Sequence, residues 1–141
     1  MKKVGVIPFQ ITDDKISVLL VTSIRTKRWI LPKGNLKSNE SRKKGCLREA
    51  FEEAGIDGKI LKDFPITMVM PDKTMSKGEI PVIFYPMLVE NQAETWPEQD
   101  RRERKWMPLD AALAEIPSKD ILNVLQHFKT LSPWVTKAAE A

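Results

Sequence analysis

The 141-residue chain has one cysteine, Cys46, and one histidine, His127. A lone thiol excludes an intramolecular disulfide framework and a multi-cysteine zinc site. A lone imidazole excludes a histidine-rich metal centre within one chain. There is no Gly-x-Gly-x-x-Gly, no internal repeat and no low-complexity tract. The longest apolar run, 80–89, is too short and too interrupted by proline to span a bilayer. Lys2 and Lys3 precede an apolar stretch broken by Gln10, Asp13 and Asp14, which reads as a strand rather than a signal peptide. A cytosolic location with no membrane partner is therefore expected.

The composition is 42% hydrophobic and 30% charged, too apolar and too mixed in sign for a disordered chain. The length fits one domain over 1–141 that buries a core without staples. A formal charge of +4 suggests a polyanionic partner, but no nucleic-acid-binding motif accompanies it, so no nucleic-acid partner is expected. The charge is unevenly placed. Residues 1–62 carry 14 Lys and Arg against 7 Asp and Glu, a balance of +7; residues 63–141 carry 9 against 12, a balance of −3. The basic residues are densest from Arg25 to Lys44.

Strands are expected over 4–9 and 15–23, with Asp13-Asp14 as the turn of a hairpin. Trp29-Ile30-Leu31 is a short apolar piece ended by Pro32 and Gly34. A helix should begin near 38–41, where Ser38, Asn39 and Ser41 can cap, and end at Ala54 before Gly55. Strand-like runs follow around Pro65, over 80–89 and over 105–107. Helices are expected over 110–116 and 120–131, capped by Asp110 and Asp120, with a loose tail from about 132. This order predicts an α/β fold, a mixed sheet with helices on both faces.

The first helix carries the chemistry. With Glu49 at 0°, Glu52 lies at about −60° and Glu53 at about +40°, so three carboxylates share one face. Leu47, Ala50, Phe51 and Ala54 fall on the opposite side and should face the core. Clustered carboxylates repel one another unless a cation sits among them, and all-oxygen ligands suit Mg²⁺ or Mn²⁺. Arg48, one turn before Glu52, can orient that carboxylate. An isolated Glu-x-x-Glu-Glu is more often a solvated acidic face, but the wider pattern decides. GNLKSNESRKKGCLREAFEEAGI fits Gly-x5-Glu-x7-Arg-Glu-U-x-Glu-Glu-x-Gly-U, where U is apolar, with Gly34, Glu40, Arg48, Glu49, Glu52, Glu53 and Gly55 as its fixed positions. Seven fixed residues match by chance at roughly one window in 10⁸.

This box, 34–56, resembles the signature of the Nudix hydrolase family, and the resemblance extends more loosely over 4–128. It implies an α/β/α sandwich with the box as loop-helix-loop, and hydrolysis of a pyrophosphate linkage. Carried over by position, it makes Glu52 and Glu53 metal ligands. Glu49 becomes a ligand or the base for the attacking water, and the Gly34 carbonyl completes the metal shell. It casts Glu40 and Arg48 as partners that hold loop and helix. One more carboxylate often comes from outside the box; Glu94, Glu98 and Glu103 are the candidates, with Glu98 favoured. Two positions depart from the usual pattern: Ala50 stands where a larger aliphatic is commoner, and the mid-helix Gly45 either leaves room for substrate or is simply tolerated.

The stretches 18–32 and 104–112 resemble the diphosphoinositol and diadenosine polyphosphate branch, and Pro32-Lys33-Gly34 is nearer the diadenosine hydrolases. Arg25, Lys27, Arg28 and Lys33, with Lys3 and Arg102 as weaker candidates, could hold the phosphates of a small polyphosphate substrate. A nucleoside-triphosphate house-cleaning enzyme and a ligand-sensing domain without hydrolysis remain alternatives, and the chain is expected to be a monomer or homodimer. Cys46, Tyr85, Phe84, Trp29 and Trp106 read as packing residues, as do Met68, Met70 and Met75 of core and loop. His127 reads as structural or exposed.

Overall fold

The computed structural model describes residues 2–71 and 78–141, so Met75 lies outside the described residues. Strands β1 (Lys3–Thr12) and β2 (Lys15–Thr22) form the expected hairpin. Asp13 and Asp14 both take positive φ, 51° and 63°, as a two-residue turn matched to strand twist requires. The sheet continues with β3 (Trp29–Ile30), β4 (Lys33–Asn35), β5 (Ile56–Ile60), β6 (Ile66–Pro71), β7 (Glu79–Gln92) and β8 (Arg104–Pro108). Its main order is β3-β2-β1-β7-β5, with β4 added to β1, β6 to β7 and β8 to β2. Only β1 and β7 pair in parallel among the described strands.

The central strands are buried on both faces, which is why they read as continuous apolar runs. In β1, Val4 and Val6 pack under helix α1 (Arg42–Ala54), while Ile7 and Phe9 face the other way. There they meet α2 (Leu109–Glu115) and α3 (Lys119–Ala139), with Phe9 and Phe128 rings 5.5 Å apart. β7 alternates likewise, Tyr85 and Met87 toward α1, Val82 and Phe84 toward α3. The result is the expected sandwich of helix, mixed sheet and helices.

Helix α1 starts at Ser41, whose Oγ accepts from the Lys44 amide (3.1 Å), and ends at Gly55, whose φ of 67° lets its amide close on Phe51 O. Three local expectations are corrected. The buried stripe of α1 is not opposite the carboxylates: Cys46, Ala50 and Ala54 are buried beside buried Glu49 and Glu53, Leu47 is half-buried, and Phe51 is 44% exposed. Small side chains are what allow this helix to lie close to the sheet. Asp110 and Asp120 sit inside their first turns rather than at the caps, which are Pro108 and Ser118.

Nor is the chain loose after 132, because α3 runs through Pro133 to Ala139. A mid-helix proline leaves the carbonyl four residues back without its amide. Here that carbonyl, Lys129 O, accepts from Ser132 Oγ instead (2.7 Å), and buried Val135 anchors the following turn.

Candidate active site

Three pieces of chain meet at the face of α1 that looks toward β4. The first is β4 itself. Pairing with β1 sets Gly34 opposite Val4 and Lys3 opposite Asn35. A Cβ built on Gly34 would collide with the Glu49 carboxyl, so the backbone lies directly against that group. The Lys33 amide donates to Glu53 Oε1 (3.3 Å).

The second piece is α1. Glu49 and Glu53, one turn apart, are only 8% and 6% exposed. Arg48 serves as the counter-charge on one side. Its Nε and Nη2 form a fork on Glu40 (2.8 and 2.9 Å), its Nη1 donates to Glu49 (2.7 Å) and Glu52 (3.1 Å), and its Nη2 also reaches Asn35 O (2.8 Å). Arg48, and then the Lys37 amide (3.0 Å), hold the Glu40 carboxyl down to about 2. This fork ties the loop ahead of α1 to the helix, as the box resemblance implies. Gly45 serves the same closure: a Cβ there would strike Leu36 of the loop, so its missing side chain makes room for Leu36 rather than for substrate.

The third piece, 93–104, docks on the C-terminal end of α1, where helix carbonyls lack intrahelical partners. The Glu98 amide donates to Glu52 O (3.1 Å), Trp96 Nε1 to Glu53 O (3.0 Å) and Arg104 Nη1 to Ala54 O (2.8 Å). Arg104 also donates to Ala93 O (2.6 Å) and stacks 3.9 Å from the Trp96 ring centre. This clamp brings Glu98 to the site, whereas Glu94 and Glu103 stay exposed. Arg102 lies between the acids: Nε donates to Glu98 Oε1 (2.6 Å), Nη1 to Thr22 O (2.9 Å), and Nη2 is 3.5 Å from Glu53 Oε2.

Burial raises Glu53 well above the ordinary carboxylate range; Arg102 opposes that rise and the adjoining Glu49 adds to it. The donor set is therefore two packed carboxyl groups and a close backbone, all oxygen, and the five carboxyl groups of Glu40, Glu49, Glu52, Glu53 and Glu98 share the two arginines Arg48 and Arg102. That chemistry fits a hard divalent cation. Among the described residues, no group of three or more His, Cys, Asp or Glu is gathered as a cation cage. Glu52 is turned to Arg48 and Glu98 to Arg102, so arginines stand where the acids would otherwise repel.

The basic candidates are distributed more loosely. Arg25 and Arg28 are exposed on the loop between β2 and β3. Lys27, at φ 56°, donates to Arg101 O (3.1 Å) and joins that loop to the clamp. The half-buried Lys33 lines a cavity of about 250 Å³ with Ser23, Ile30, Met70, Ser118 and Asp120. Lys3 is half-buried on β1. Cys46 is buried, donates to Gly5 O (3.6 Å) and is pushed by burial up to about 12, so it packs rather than reacts. Tyr85 and Phe84 are buried in the core. Met70 is buried, Met68 half-buried and His127 exposed. Trp96 and Arg104, the anchors of the clamp, carried no signal along the sequence, because their partners lie 43 and 50 residues away.

The chain is 33% identical over 117 residues to the mitochondrial Nudix hydrolase 18 of Arabidopsis thaliana, covering 77% of this chain and 65% of that protein. It is 31% identical over 108 residues to diphosphoinositol polyphosphate phosphohydrolase 3-beta of Bos taurus, covering 72% and 61%. The chain thus spans about two thirds of the length of these relatives. Its fold matches the crystal structure of the C. elegans Ap4A hydrolase with a TM-score of 0.72 at 21% identity, over 92% of this chain and 96% of that one. The NUDIX domain model matches residues 1–128, and the chain belongs to the Nudix family.

Proposed function

We propose that the chain is a divalent-metal-dependent pyrophosphohydrolase that cleaves a phosphoanhydride bond in a highly phosphorylated small molecule, a dinucleoside polyphosphate or an inositol pyrophosphate. The observation that carries this reading is the buried pair Glu49 and Glu53, the first against the Gly34 backbone and the second bonded to the Lys33 amide, with the basic loop at 25–28 joined through Lys27 to the segment that docks on the helix. In this proposal Glu49, Glu53 and the Gly34 carbonyl would hold Mg²⁺, with Mn²⁺ as a substitute, and Glu52 would join them by turning from Arg48. A bound divalent cation supplies charge neutralisation at the phosphates and a more acidic water. Glu49, Glu53 or Glu98 would accept the proton of the attacking water. Arg48 keeps Glu49 aimed. Arg25, Lys27, Arg28 and Lys33 offer positive charge to the phosphates that do not react, with Lys3 at the edge.

The bovine relative's name, a diphosphoinositol polyphosphate phosphohydrolase, supports the substrate class. The charge split gives it a physical basis: a small polyphosphate meets the basic loop and the metal helix at once. No helix among the described residues is long and apolar enough to cross a membrane, and a cytosolic location is part of the proposal. Phosphate release should be measured over dinucleoside polyphosphates, inositol pyrophosphates, nucleoside triphosphates and ADP-ribose, with Mg²⁺ or Mn²⁺. The expected result is turnover of one of the first two classes, abolished by chelator. Preference for triphosphates overturns the substrate class, and no turnover of any compound overturns the hydrolase reading.

A further inference from the structure

We infer that Arg102 is a positioning residue, which sets Glu98 against Glu53, rather than a cation that binds substrate phosphate. The inference rests on the hydrolase reading and adds a part to it. Its guanidinium is engaged on all three nitrogens, by Glu98, by Thr22 O and by Glu53. The side chain is only 10% exposed, whereas that of neighbouring Arg101 is 59% exposed. A phosphate would have to displace buried partners to reach Arg102, while Arg25, Arg28 and Arg101 lie open.

The anchor at the far end of this bridge is rigid. Thr22 is 2% exposed, its Oγ1 accepts from the Glu103 amide (2.9 Å), and its own amide donates to Glu103 O (3.0 Å). Arg102 is thereby pinned to the end of β2 from both sides. Backbone bonds from the Arg101 and Arg102 amides to Glu98 O form the turn that carries Glu98 (2.9 and 3.1 Å). The Glu98 amide is itself bonded to Glu52 O. Removing the guanidinium would leave the Glu98 amide bonded to Glu52 O but take away the tie from this turn to Thr22 and Glu53, so 99–102 would loosen and the Glu98 carboxylate would lose its direction. Arg102 therefore acts through Glu98 and Glu53, without touching substrate.

The test compares Arg102→Gln, Arg102→Lys, Glu98→Gln and the double variant Arg102→Gln/Glu98→Gln on the substrate found by the panel. Arg102→Gln should lower kcat ~100-fold, the scale of a misplaced catalytic group, while KM moves less than about threefold. The double variant should be no worse than the poorer single one, because both remove the same arrangement. Arg102→Lys keeps the charge but not the fork and should recover only part of the loss. A raised KM at unchanged kcat, or losses that multiply in the double variant, would overturn the inference in favour of phosphate binding. Hydrogen exchange supplies a reading independent of turnover. The amides of 99–102 should exchange faster in both Arg102→Gln and Glu98→Gln while 42–54 stays protected; unchanged exchange in these variants contradicts the assignment. If Arg102→Gln fails to fold, Arg102→Lys carries both readings. A wild-type chain that hydrolyses nothing sinks the functional reading, and exchange alone then judges Arg102.

Discussion

Arg48 and Arg102 flank the same pair of buried carboxyl groups, but they come from different kinds of sequence. Arg48 lies inside the box, one helical turn before Glu52, a partner that follows from helical spacing, and eight residues after Glu40, on which its fork closes. Arg102 lies 49 residues beyond Glu53 and reaches it only because 93–104 folds back over the end of α1. One arginine closes the loop before the helix, and the other closes the segment after it. A helix that must keep like charges together is thus held at both ends by groups of opposite sign.

The sharpest way to break the first closure is Gly34→Ala. The new Cβ would meet the Glu49 carboxyl and push it off its position. Turnover should fall ~100-fold, and calorimetry should show a loss of about 1–3 kcal/mol from overpacking. Normal turnover in that variant would mean that the backbone does not need to approach Glu49. The second closure is more redundant, since three donors from 93–104 serve three carbonyls of α1. Trp96→Phe removes one of them, the indole N–H on Glu53 O, and keeps most of the ring under Arg104. A loss of about 0.5–1.5 kcal/mol is expected, read as a melting temperature lowered by several degrees, with kcat reduced less than about tenfold. An equal collapse of activity in Trp96→Phe and Gly34→Ala would erase the distinction between the two ends.

The same contrast explains what could be seen in the sequence. The hairpin at Asp13-Asp14, the α1 cap and the stop at Gly55 depend on neighbours in the chain; local chemistry located the turn and the stop and narrowed the cap to 38–41, where Ser41 takes it. The acidic face of α1 was legible for the same reason. Its burial was not. A helical wheel put Phe51 inward and the glutamates outward, but the sheet, β4 and the 93–104 clamp enclose Glu49 and Glu53 and leave Phe51 exposed. The continuation of α3 past Pro133 was hidden too, because it depends on a hydroxyl bond at Lys129 O and on the burial of Val135. Glu98 was picked from three loop acids on family likeness; the contacts that bring it to α1 are long-range and have no periodicity to betray them.

If the buried carboxyl pair on α1 is the chemical centre of the protein, hydrolysis depends on the Glu53 carboxylate. Glu53→Gln keeps the shape of the side chain and removes its ability to ionise. Steady-state hydrolysis of the preferred polyphosphate with Mg²⁺, measured beside a melting curve, tests it directly. A kcat lowered about 10²–10⁴-fold is expected in a chain that still folds; near-normal kcat in the folded variant would contradict this role of the pair.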